Sequence, residues 1–296
     1  MPGQGPIRDG MTLPQIIEGL SAIASEYDAL LCDAWGVIHN GRELYPGAAE
    51  ALQAFRRQAG PVIILTNAPR MASVIPGQLD HLGLPRDCYD GVVTSGEATR
   101  EAVHQLAERP FFRIGPEEDD DMFEAVDVTF TDFEHAGAIF CTGPNDSERE
   151  TPEDYRGLLT QAAARGLPMV CANPDLVVRF GDKTLYCAGA IGQLYEKLGG
   201  KVILGGKPYA PIYELAMAQL TQIKGQMPQR VLAVGDGLDT DIKGANLQGH
   251  DVVFVASGIF SDAARDKDGK MSAKLLEAAL SSRQVHAAFA MEELAW

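Results

Sequence analysis

The stretch Leu30-Leu31-Cys32-Asp33-Ala34-Trp35-Gly36-Val37-Ile38-His39-Asn40-Gly41 sets an aspartate at the end of an apolar run, with a glycine three residues on. An apolar run broken this way reads as a buried parallel strand. In open α/β sheets, ligands bind beyond the carboxyl ends of the strands, where strand order reverses. Asp33 therefore stands where chemistry is expected. A lone Asp-x-x-Gly would read as a solvated turn; three later segments turn the reading toward a site.

Working outward, residues 48–58 form an alanine-rich helix closed by Gly60, and 61–65 a second strand running into Thr66-Asn67-Ala68-Pro69-Arg70. A third strand over 91–96 completes a strand–helix–strand–helix–strand pattern, which implies a parallel sheet with right-handed crossovers. On the other side of Asp33, residues 12–27 carry helical spacing, with Thr12 as N-cap and Ile16, Ile17, Leu20 and Ile23 on one face. The middle of the chain reads as an inserted α/β unit, with strands at 111–114, 138–141 and 168–171 and a helix over 152–164. The acidic run Glu117–Asp121 within it reads as a solvated loop. The sheet is then expected to resume at 201–204, leading into Gly205-Gly206-Lys207-Pro208. A helix over 212–222 follows, then a strand over 230–234 into Gly235-Asp236-Gly237-Leu238-Asp239-Thr240-Asp241, and a last strand at 251–255. The expected architecture is a doubly wound parallel Rossmann-like α/β core, 11–98 and 201–296, with an inserted α/β cap domain at 99–200 and a flexible tail at 1–10.

With 296 residues, 46% of them hydrophobic, the chain can bury a sizeable core. Its formal net charge of -16 disfavours nucleic acid or an anionic membrane as partner. An anionic substrate must accordingly be held by local positive charge. The five cysteines are scattered without a Cys-x-x-Cys pair, which fits a reducing cytoplasm. No segment reads as a membrane span or a signal peptide.

Four apolar strands thus end in Asp33, Thr66-Asn67, Lys207-Pro208 and Asp236. A nucleophilic carboxylate, a hydroxyl and amide for phosphate oxygens, a lysine and a second carboxylate make a coherent set for phosphoryl transfer. In that order they resemble the haloacid dehalogenase superfamily, closest to the NagD-like phosphatases whose cap lies between the second and third motifs. The most specific pieces are Leu65-Thr66-Asn67, Gly206-Lys207-Pro208 and Gly235-Asp236-x-x-x-Thr240-Asp241-Ile242. The resemblance implies that Asp33 attacks phosphorus and that Thr66 and the Asn67 amide hold the phosphoryl oxygens. It gives Lys207 the role of offsetting charge at Asp33. It further implies Mg²⁺ held by Asp33, Asp236 and the backbone carbonyl of Trp35, with Asp241 in support. Asn173-Pro174-Asp175 matches a segment that in the family lies near the substrate entrance. The implied partner is a small phosphorylated metabolite such as a sugar phosphate, and a cap-mediated homodimer is left open.

One position departs from the pattern. The family carries an aspartate two residues after the nucleophile, which protonates the leaving group and then activates water; here that position is Trp35. Indole offers only an N–H donor. A positioned general acid–base contributes roughly 10²–10⁴-fold. Three readings stay open: a phosphatase that recruits another acid, with His39 as one candidate; a weakened phosphate-ligand binder or regulatory protein; and a metal-free 2-haloacid dehalogenase, whose Asp-Ala-Tyr-Gly resembles Asp33-Ala34-Trp35-Gly36. Of the remaining polar residues, Arg70 reads either as a substrate contact or as a helix-start arginine, Asp239 as a turn residue, and Cys32 as core.

Overall fold

The computed structural model describes residues 13–260 and 264–296. The expected tail at 1–10 and the Thr12 cap lie outside those residues. In chain order the strands are β1 (Gln15–Ile16), β2 (Ala29–Cys32), β3 (Val62–Thr66) and β4 (Gly91–Thr94). Then come β5 (Phe111–Ile114), β6 (Ala138–Cys141), β7 (Pro168–Cys171), β8 (Val177–Phe180), β9 (Lys183–Tyr186) and β10 (Lys201–Leu204). The chain closes with β11 (Val231–Gly235), β12 (Asp251–Val255) and β13 (Phe289–Met291).

The larger sheet has seven strands in the order β1-β13-β12-β11-β2-β3-β4, all parallel. Its strands are apolar on both faces, as a parallel sheet covered by helices requires. Leu30, Cys32, Val62, Ile64, Leu232 and Val234 face one side and pack on Ala51, Leu52 and Phe55 of the helix Ala48–Gln58. The alternate residues Ala29, Leu31, Ile63 and Leu65 face the other side, against Ile212, Ala216 and Leu220 of the helix Ala210–Lys224. The chain leaves β2 toward β3 and β4, and leaves β11 toward β12 and β13. The order therefore reverses between β11 and β2, which puts Asp33 and Asp236 side by side at the switch point.

The second sheet has four parallel strands in the order β10-β7-β6-β5. The helices Arg156–Ala164 and Ala188–Lys197 cover one face through Leu159, Ile191 and Leu194. Phe111, Phe140 and Val170 on the other face meet Val103, Met122 and Phe123. An antiparallel hairpin, β8–β9, projects from this unit.

Five expectations are corrected. Residues 201–204 do not resume the main sheet; β10 pairs with β7 along its whole length, Lys201 opposite Pro168 to Leu204 opposite Cys171. A short apolar strand carries no mark of which parallel sheet will accept it. The chain returns only at Gly205, where an added Cβ would come within 2.7 Å of the Ala98 carbonyl, so both crossings between the sheets run in contact. The outward crossing at 98–99 falls inside a helix, Ser95–His104, rather than between elements.

The leading segment, where described, is not a helix. Gln15–Ile16 adds to the sheet edge beside β13, and two 3₁₀ turns follow. The C-terminus takes part: the Leu20 amide donates to the Ala295 carbonyl at 2.8 Å, and a Cβ at Gly19 would lie 2.3 Å from the Trp296 carbonyl oxygen. Long-range pairing overrides the local helical spacing. β13 completes the sheet beyond the strand expected to be last.

The acidic run is also not a solvated loop. It forms a 3₁₀ turn and a short helix with Asp119 buried; Arg70 pairs with Asp121 and lies 3.8 Å from Asp119, while Asp120 pairs with Arg113. Arg70, left between two roles by the sequence, thus joins the end of β3 to the inserted unit.

Candidate active site

Asp33 follows the last residue of β2 and its amide donates to the Val234 carbonyl at 2.9 Å, so the ladder itself fixes it beside β11. Asp236 follows β11 in the same way. A single π-helical turn, Leu238–Ile242, then brings Asp241 back under the strand end. There one Asp241 oxygen accepts from the Gly237 amide at 3.0 Å. Asp33, Asp236 and Asp241 are all buried and offer carboxylate oxygens within 4.8 Å of one another.

Lys207 enters this cluster from the return segment after β10. Its Nζ lies 2.7 Å from Asp33 Oδ1 and 2.7 Å from Asp241 Oδ1. The expectation that it ends a strand of the main sheet is wrong in origin, yet it reaches the same edge. Asn67 explains how. Its Oδ1 accepts from the Lys207 amide at 2.7 Å and its Nδ2 donates to the Lys207 carbonyl at 3.1 Å. A side chain at the end of β3 thereby clamps the backbone of Lys207. Thr66 is buried beside it, its Oγ1 accepting from the Ala68 amide at 3.2 Å.

The charges are mutually strained. Burial and the adjacent Asp241 push the Asp33 carboxyl well above its ordinary range, against the pull of Lys207. Burial and Asp241 likewise push Asp236 up to about 7. Burial would lower Lys207, but Asp241 and Asp33 overcome it and hold the ammonium well above its usual value. One ammonium against three buried carboxylates leaves a surplus of negative charge. An all-oxygen acidic set of this kind suits a hard divalent cation.

Two glycines preserve the geometry. Gly36 has φ +85°, and its Cβ would stand 2.4 Å from Asp236 Oδ2. At Gly258 the Cβ would be 1.7 Å from the same oxygen, because the Ile259 amide reaches in to donate to it at 2.7 Å. Gly258→Ala must displace the Asp236 carboxylate. If the cluster holds a divalent cation, the protein's affinity for Mg²⁺ should fall about 10–100-fold, the range for disturbing an outer-shell partner. An unchanged Mg²⁺ titration would remove Asp236 from the metal site.

The cluster opens into a cavity of about 720 Å³ between the two sheets. All of Asp33, Trp35, Thr66, Asn67, Asn173, Asp175, Lys207, Asp236 and Asp241 line it. Asn173 and Asp175 come from the inserted unit, just after β7. Asn173 Oδ1 accepts from the Asp175 amide at 2.9 Å, and Asp175 Oδ1 accepts from Asn67 Nδ2 at 2.9 Å.

His39 is not aimed at this cavity. It is buried, its ring stands edge-on to Trp35 at 5.0 Å, and its Nδ1 accepts from the Gly41 amide at 3.0 Å. Burial pushes its pKa down to about 4. Trp35 itself donates from Nε1 to the Arg179 carbonyl of β8 at 2.6 Å. Asp239 pairs with Arg283 at 3.1 Å, and Cys32 is core. The side-chain clamp of Asn67 and the loop carrying Gly258 and Ile259 escaped the sequence reading. The second had a signal, a Ser-Gly just past the strand 251–255. The Trp35–Arg179 bond spans 144 residues and had none.

Residues 30–129 match the haloacid dehalogenase-like hydrolase family, and 204–281 match a HAD-hydrolase-like family. A crystal structure of a haloacid dehalogenase-like hydrolase from Brucella suis superposes with a TM-score of 0.83 at 37% identity, over 94% of this chain and 100% of that one. D-glycerol 3-phosphate phosphatase of Mycobacterium tuberculosis is 29% identical over 82% of this chain and 66% of its own length, so this chain spans about two thirds of that relative. Ribonucleotide monophosphatase NagD of Escherichia coli is 27% identical over 78% of this chain and 88% of its own. A crystal structure of a glycerol phosphate phosphatase from M. tuberculosis, in complex with magnesium, has a TM-score of 0.61 at 25% identity, over 86% of this chain and 78% of that one. Among the described residues, no helix is long and apolar enough to cross a membrane.

Proposed function

This chain belongs to the haloacid dehalogenase superfamily, in its NagD-like phosphatase subgroup, and from that premise we propose that it hydrolyses a small phosphate monoester with Mg²⁺, through covalent catalysis by Asp33. The observation that carries the reading is the Lys207 ammonium bonded to both Asp33 and Asp241 at the switch point, with Asp236 completing the buried cluster.

In this reading Asp33 and Asp236 hold the ion with the Trp35 carbonyl, and Asp241 supports them. Both Asp241 oxygens already accept bonds, one from Lys207 and one from Gly237, which suits support rather than direct ligation. Bound Mg²⁺ supplies the positive charge that lets a phosphate dianion approach two carboxylates. Asp33 is the nucleophile, its Oδ1 accepting a bond from Lys207. Thr66 and the Asn67 amide receive phosphoryl oxygens, and Asn67 fixes Lys207 through its backbone. The inserted unit acts as a cap, closing the cavity against bulk water and selecting the ester. Its volume suits a small metabolite, and the relatives' substrates, glycerol phosphate and ribonucleotides, are of that class. The acidic cluster counts against the metal-free dehalogenase.

The experiment is phosphate release from a panel running from nitrophenyl phosphate to sugar phosphates, with Mg²⁺ and with chelator. We expect turnover with Mg²⁺ and none with chelator. Turnover unaffected by chelator would sink the metal assignment. No release from any ester would favour the binder, and halide release from 2-haloacids the dehalogenase.

A further inference from the structure

Trp35 removes the core's acid–base residue, and a reaction with a poor leaving group needs a replacement. The candidates weighed are His39 and the three carboxylates on the cavity wall outside the cluster, Asp119, Asp175 and Asp239. His39 is turned away and taken by Gly41. Asp239 is exposed and paired with Arg283, and Asp119 lies against Arg70. Asp175 differs from these. Asp119 and Asp239 line the same cavity, and burial pushes Asp119 up to about 6 as well, but of the three it is Asp175 that is bonded to Asn67, whose side chain also binds the Lys207 backbone.

We infer that Asp175, carried by the cap rather than the core, is the general acid–base of this enzyme, and that Trp35 is the positioning residue that holds its segment over the nucleophile. This rests on the phosphatase reading. In the first step the Asp175 carboxyl gives its proton to the ester oxygen as that oxygen leaves phosphorus and the Asp33 oxygen–phosphorus bond forms; the alcohol departs. In the second, the Asp175 carboxylate takes a proton from water as the water oxygen bonds phosphorus and the bond to Asp33 breaks. Phosphate leaves, and both aspartates return to their starting states.

Independent features support the assignment. Asp175 is half-buried on the cavity wall, and loss of solvent there pushes its carboxyl up to about 6, with Asp241 adding to the rise and Lys207 and Asn67 opposing it. Such a group can both give and take a proton near neutrality. The segment is tied down at both ends. The Asp175 carbonyl accepts from the Gly189 amide at 3.1 Å. Four residues on, the Arg179 carbonyl accepts from the Trp35 indole at 2.6 Å. The same hairpin adds a Gly181 amide to Asn40 carbonyl bond at 3.1 Å and stacks Arg42 over Phe180 at 5.1 Å. The tryptophan that costs the core its carboxylate thus anchors the strand following the cap's carboxylate.

The test compares kcat/KM of the Mg²⁺-loaded full chain on glycerol phosphate, a poor leaving group, and nitrophenyl phosphate, a good one. Both report events through phosphoryl transfer. Wild-type activity on neither ester would fail the phosphatase reading itself. Given wild-type activity, Asp175→Asn should lower kcat/KM for the alkyl ester by roughly 10²–10⁴-fold and for nitrophenyl phosphate far less. It should also leave a nitrophenol burst followed by slow turnover, because water lacks its base. Unchanged alkyl-ester kcat/KM in Asp175→Asn would overturn the proposal. So would an equal loss on both esters at an unaltered thermal midpoint. Trp35→Phe keeps a ring and loses the N–H; a smaller loss with the same leaving-group bias is expected, and a loss equal on both esters would overturn the anchoring role.

Discussion

Asp33→Asn should abolish phosphate release, by roughly 10⁴–10⁶-fold, the scale on which removing a covalent nucleophile acts. The substitution keeps the shape of the side chain and its oxygen near Lys207, so it removes charge and nucleophilicity without opening space. It should not unfold the protein. The folded-state pKa of Asp33 is raised above its unfolded value, by burial and then by Asp241. For an acid this means the ionised form costs stability at pH values above the unfolded pKa; the cost is absent below it. Asn carries no such cost, and Lys207 keeps Asp241 at 2.7 Å. Measured near neutral pH with chelator, the thermal midpoint of Asp33→Asn should therefore equal or exceed that of the wild type. A variant that keeps most of its turnover would remove the covalent mechanism. One that loses turnover together with its midpoint would show that Asp33 is held for structure. Activity bought at the expense of stability is the expected sign of a functional cluster.

The same physics separates what could be read in the sequence from what could not. Thr66 ends β3, and Asp33 and Asp236 directly follow β2 and β11; the three strands are neighbours in one parallel sheet. An apolar run ending in a polar residue encodes that placement locally, since strand direction alone puts all three on one edge. Lys207 was legible as a site residue but not by its route. Lys201–Leu204 has the apolar pattern of a buried parallel strand, and that pattern is identical whether the partner is β2 or β7. The leading segment shows the limit for helices. Its apolar residues keep helical spacing, but the edge pairing with β13 and the bond from Leu20 to Ala295 involve residues more than 250 positions away. Trp35 could be read as the loss of an acid. Its contact with Arg179 depends on where an inserted hairpin lands, which no local pattern specifies.

Lys207→Met tests the cluster from its positive side, and should carry the largest stability effect. Methionine roughly preserves volume and leaves Asp33, Asp236 and Asp241 buried with no cation between them. Breaking a buried ion pair by removing one partner costs about 3–5 kcal/mol, which for a chain of this size lowers the thermal midpoint on the order of 10 °C in chelator. The sign with pH follows from the carboxylates. Burial and Asp241 raise Asp33 and Asp236, Asp236 to about 7, and removing the ammonium raises them further. Ionised, they oppose folding, so the deficit should be greatest above pH 7 and shrink as pH falls and they take up protons. Mg²⁺ binds the folded cluster and not the unfolded chain, so it should restore part of the loss, about 2.7 kcal/mol at a hundred times its Kd. Turnover should still fall roughly 10²–10³-fold, the usual effect of deleting one donor aimed at developing charge. Ion and lysine neutralise overlapping charge, but only Lys207 is clamped to Asn67 at the end of β3. A variant as stable as the wild type in chelator, at every pH, would mean that these carboxylates are protonated in the resting protein. The nucleophile would then have to be created by the metal rather than held ready by the lysine.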